Sequence, residues 1–106
     1  MGANDRFELL ITPEAPVHYM LKLFVAGMSP RSTAAVATVK AICEAHLAGR
    51  YDLEVVDLYR APERAAEEQV VAAPTLVKFT PLPERRLVGN LSDLPRVLRG
   101  LSLATT

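Results

Sequence analysis

Residues 70–79 read VVAAPTLVKF, an apolar and β-branched run with Pro74 near its middle. A proline has no N–H for a sheet ladder and is excluded from central strands except at their first residue, at edges or at bulges. The run should be a buried strand, yet the proline sits inside it. Any fold for this chain has to resolve that conflict.

The neighbouring segments supply the rest of the sheet. HYMLKLFVAG alternates at first and then turns wholly apolar, a strand ended by Gly27. MSPRSTAAVATVKAICEAHLAGR has the signals of a helix: Ser29 as N-cap, Pro30 as first helical residue and Gly49 as stop. Val36, Val39, Cys43 and Leu47 recur at helical spacing as its buried stripe. YDLEVVDLY reads as a second strand whose LEVVDL centre predicts burial on both faces. APERAAEEQ, opened by Pro62, is a short helix. TPLPE is a turn, and RRLVG is a short edge strand. LSDLPRVLRGL forms a last helix capped by Ser92, with Leu94, Val97, Leu98 and Leu101 on one face and Pro95 in its first turn. The order is strand, helix, strand, helix, strand, strand, helix. The first two strands should be parallel through a right-handed crossover, and the last two antiparallel. Residues 1–17 form an N-terminal extension in which FELLIT is a short strand set apart by Pro13 and Pro16. Residues 18–106 form the single domain.

Composition narrows the function. Twelve basic and twelve acidic residues cancel, so no basic excess points to nucleic acid. No stretch approaches the ~18 apolar residues of a membrane span, and the N-terminus lacks a signal-peptide core. Arg6 stands where a myristoylation signal from Gly2 needs Ser or Thr. One cysteine makes neither an internal disulfide nor a zinc site, and no cofactor is indicated. These features predict a cytoplasmic domain.

The element order, with Ala-Pro-Thr opening the third strand, resembles the thioredoxin fold, α/β with order βαβαββα. In that superfamily a cis-proline precedes this strand and faces the start of the first helix. The resemblance thus implies that Pro74 stands at the strand's first residue and that VVAA before it is loop. The superfamily's redox chemistry needs a low-pKa thiolate at that helix start, and GMSPRS holds no cysteine. Cys43, on the apolar stripe, reads as a packing residue. Over residues 19–101 the chain more closely resembles the KaiB family of small circadian-clock proteins. The motifs are YMLKLFVAGMSPRS, then GRYDLEVVDLYRAPERAAEEQVVAAPTLVK, then TPLPERRLVGNLSDLPRVLRGL.

The resemblance implies a non-enzymatic protein that binds the ring of a KaiC-type hexameric ATPase and modulates its phosphorylation and ATPase cycle. It also implies two folds. A resting homo-oligomer, tetramer or dimer, has an alternative arrangement (βαββααβ), and the thioredoxin-like monomer binds the partner. Lys40, Arg60 and Lys78 match basic positions of the family's partner surface. Pro74 matches the proline that is cis in the binding form, and Gly89 a glycine at which the two folds differ. Asn90 replaces the family's usual Asp beside it, and LSLATT replaces an acidic tail. Two alternatives share the fold. One is a glutathione-binding domain of transferase type, with Ser29 or Ser32 activating the thiol and Pro74, Ser92 and Asp93 holding the peptide. The other is a thioredoxin-like adaptor without a KaiC partner.

Overall fold

A computed structural model describes residues 17–103. The strand expected at FELLIT lies outside the described residues. The elements are β1 (Tyr19–Val25), α1 (Pro30–His46), β2 (Tyr51–Asp57), α2 (Glu63–Glu67), β3 (Thr75–Thr80), β4 (Arg85–Val88) and α3 (Leu94–Gly100). The sheet order is β2-β1-β3-β4, with β1 and β2 parallel and β3 antiparallel to both β1 and β4. This is the βαβαββα arrangement of the sequence reading.

Each boundary has a local cause. The Ser29 hydroxyl accepts from Ser32 N at 3.2 Å, filling one orphan donor of the first turn of α1, and Pro30 occupies the adjoining position. Pro74 directly precedes β3, and the Ala73–Pro74 bond is cis, as are Thr80–Pro81 and Leu82–Pro83 in the turn to β4. At α3 the cap is Asp93, whose carboxylate accepts from Arg96 N at 3.3 Å. Ser92, the expected cap, instead engages Asn90 Oδ1 with both its amide and its hydroxyl. The Asp carboxylate wins because it stands one residue nearer the first turn and carries a charge that favours the helix N-terminus.

Two cores sandwich the sheet. On one face α1 and α3 bury Leu21, Leu23, Val39, Cys43, Leu76 and Val97, among others. Each fully buried aliphatic side chain contributes about 1.5–3 kcal/mol. On the other face Phe24, Val56, Val70 and Val77 form a smaller cluster under α2. The expected stripe of α1 is present, with Val36 only half-buried and Ala35 and Ile42 added. Leu94, expected on the buried face of α3, is exposed at the helix's first turn.

The largest departure is β2. Its apolar run predicts burial on both faces, yet it lies at the sheet edge and only Val56 is buried. Val55 alternates with Val56 onto the opposite, α1 face, stands at that open edge and remains 40 % exposed.

Candidate partner-binding surface

The β1–α1 loop and the β2–α2 loop meet beside the open edge of β2. Asp57, at the end of β2, joins them: one carboxylate oxygen accepts from Gly27 N at 3.0 Å and from Tyr59 N at 2.9 Å. The Ser32 hydroxyl accepts from Ala26 N at 3.2 Å, holding the same loop to α1. Gly27, at φ +67°, lies against the Tyr59 ring, and a β-carbon there would stand 2.8 Å from it. Only glycine permits both the backbone and the contact.

This frame leaves large apolar side chains in solvent. Met28 is 86 % exposed and Tyr59 76 %. Between α1 and β2 runs a groove of about 430 Å³ lined by Val25, Met28, Val36, Lys40 and Val55. A second hollow of about 470 Å³ adjoins it, sharing Met28 and Val55 and bordered by Arg60 and Arg64. Arg60 is solvent-facing, 4.0 Å from Asp57. The result is an apolar patch with basic groups on two sides. Among the described residues no group of His, Cys, Asp and Glu is placed to hold a metal ion, and no helix is long and apolar enough to cross a membrane.

Lys40 and Arg60 thus border one surface. Lys78 does not. It shares with Leu76 the face packed by α1 and α3 and is 1 % exposed, its ammonium 6.0 Å from the Tyr19 ring centre. Burial, and secondarily Arg85, pushes its pKa down. In this fold it cannot reach a partner. Pro74 and Gly89 come together at the far end of β3 and β4, where Gly89 N donates to Pro74 O at 3.3 Å. Gly89 has φ +105°, a region that favours glycine, and the Arg96 guanidinium donates to the carbonyls of Val88 and Asn90 on either side. Sequence reasoning missed Met28, Val55, Tyr59 and Asp57. The one available signal was large apolar residues standing at a helix cap and just past a strand end.

The start of α1 offers no thiol chemistry. Cys43 is buried, and burial, with Glu44 beside it, pushes its pKa up to about 11, the reverse of a redox thiolate. Ser32 is buried and its hydroxyl accepts from Ala26 N, while Ser29 is exposed and its hydroxyl accepts in the cap.

The fold defines the chain as a thioredoxin-like domain. It superposes on Fasciola hepatica thioredoxin with a TM-score of 0.66 at 19% identity, covering 82% of this chain and 81% of that one. It superposes on the N-terminal domain of Synechococcus elongatus SasA with a TM-score of 0.64 at 27% identity, covering 91% and 95%. The KaiB domain family matches residues 22–103. The circadian clock oscillator protein KaiB of Synechococcus elongatus is 48% identical over 85 residues, which is 80% of this chain and 83% of that protein. The protein of the same name from Nostoc punctiforme is 47% identical, covering 80% and 82%. The chain belongs to the KaiB family.

Proposed function

We propose that this protein is a non-enzymatic regulator of circadian-clock type, acting in the cytoplasm by binding a KaiC-type hexameric ATPase and modulating its cycle. The observation that carries this reading is the exposed patch of Met28, Val55 and Tyr59 with Lys40 and Arg60 on its borders, in a member of the KaiB family. Exposed apolar clusters rimmed by polar residues are characteristic of protein contact sites, and the flanking charges steer an acidic partner. The thioredoxin-like form is the binding form, and Pro74, Gly89 and Asn90 belong to the region that rearranges from a resting oligomer.

Full-length Lys40→Glu/Arg60→Glu should bind a KaiC-type hexamer at least ~10-fold more weakly, mainly through slower association and less so at high salt. Unchanged binding at low salt removes these residues from the interface. If the competent form is a minor population, the binding rate levels off as hexamer concentration rises. A rate that stays linear refutes the rearrangement.

A further inference from the structure

The groove beside α1 adjoins an open strand edge. In a parallel pair, a residue bonds to the two neighbours of the residue opposite it. Tyr19 N donates to Arg50 O and Leu58 N to Val25 O, while Tyr19 stands opposite Tyr51 and Val25 opposite Asp57. The even-numbered residues of β2 therefore turn their peptide groups toward β1. Those of Tyr51, Leu53 and Val55 turn outward, and among the described residues nothing bonds them. The side chains of these residues lie on the α1 face, with Val55 in the groove wall. An extended peptide on this edge would complete the ladder and drop alternate side chains into the groove.

We propose that the occupant is the chain's own segment Phe7–Thr12, added antiparallel to β2. Phe7, Leu9 and Ile11 give it one wholly apolar face, matching the groove. The described chain enters β1 beside the start of β2: Val17 O accepts from Arg50 Nη1 at 3.3 Å, and His18 Nε2 contacts Asp52 Oδ2 at 2.7 Å. The outer edge lies two strand spacings from β1, about 10 Å, and the linking residues 13–18 span up to roughly 20 Å. Pro13 and Pro16 keep that linker from pairing. A register with Leu9 opposite Val55 and Ile11 opposite Leu53 sets Glu8 against Val56 rather than Glu54. A second copy fits worse, because antiparallel pairing of two β2 edges with Leu53 opposite Val55 sets Glu54 against Glu54. Tethering also gives the internal segment a high effective concentration. Resting on the function proposed above, the segment covers the Lys40 side of the partner surface and is autoinhibitory.

Amide hydrogen exchange on the full-length protein and full-length Leu9→Pro tests this without any partner. Proline removes the Leu9 N–H that faces Val55 O in this register. The amides of Leu53 and Val55 should exchange at least ~10-fold faster in the variant, with Leu76 and Val77 unchanged. Equal rates at Leu53 and Val55 in the two proteins overturn the proposal. Protection that survives Leu9→Pro and grows with protein concentration overturns it in favour of a second copy. Leu9→Pro should also tighten hexamer binding. If the amide change appears and hexamer binding is absent in both proteins, the strand addition stands and the functional reading fails.

Discussion

The two faces of the sheet are held by different forces. The α1 and α3 face is sealed by aliphatic side chains from a 17-residue helix and the sheet, with Leu23, Val39, Cys43 and Leu47 fully buried. The α2 face carries a five-residue helix with no buried residue of its own. Polar contacts hold that helix down. Lys22 Nζ meets Glu68 Oε2 at 2.7 Å while lying 5.0 Å from the Phe79 ring centre, and Arg64 reaches Glu54 and Glu68. The Arg86 guanidinium donates to the carbonyls of Glu68 and Gln69, where the chain turns at φ +58°. Apolar burial is indifferent to salt and mild acid, whereas such a clamp is not.

Mutations should separate the two faces, beginning with the packed one. Leu23→Ala empties a fully buried site and should cost about 2–5 kcal/mol, read by urea denaturation. A loss under ~1 kcal/mol would mean that face is not the structural anchor. Ser29→Ala removes the cap of α1 and should cost about 1 kcal/mol.

Lys78→Met sharpens the comparison from inside the packed face. It replaces its one buried ammonium and should raise stability by roughly 1 kcal/mol at neutral pH. The sign of its pH dependence follows from its lowered pKa. Between the folded and unfolded pKa values the unfolded chain binds more protons, so this group's contribution to stability rises with pH. That rise should vanish in Lys78→Met.

The smallest effect belongs to the clamp. Glu68→Gln should cost less than ~1 kcal/mol, because the pair with Lys22 remains partly solvated. Lys22, followed by Arg64, holds the Glu68 carboxyl below the usual carboxylate value. Its contribution is therefore present above the unfolded pKa and is lost as pH falls through the folded one. Thermal melts at pH 7 and pH 3 should show the wild-type advantage only at pH 7. Equal differences at both would show that packing rather than charge holds α2.

The sequence by itself determined the order of elements, the parallel start, the edge position of β4 and the caps and stripe of α1. Each of these depends on local chemistry: a serine before a proline, a 3.6-residue apolar period, a proline that cannot donate to a ladder. The resemblance to the thioredoxin fold placed Pro74 at a strand boundary, and β3 begins directly after it. Tertiary structure decided what local chemistry cannot encode. LEVVDL is equally apolar in a central strand and at an edge, and only the edge position of β2 left Val55 in solvent. Lys78 looks like any surface lysine until the register of β3 turns it beneath Tyr19. Lys40 and Arg60 are 20 residues apart and border one surface only because the β1–β2 crossover sets α1 against the end of β2. A side chain's exposure is a property of what packs over it, and that partner is distant in the chain.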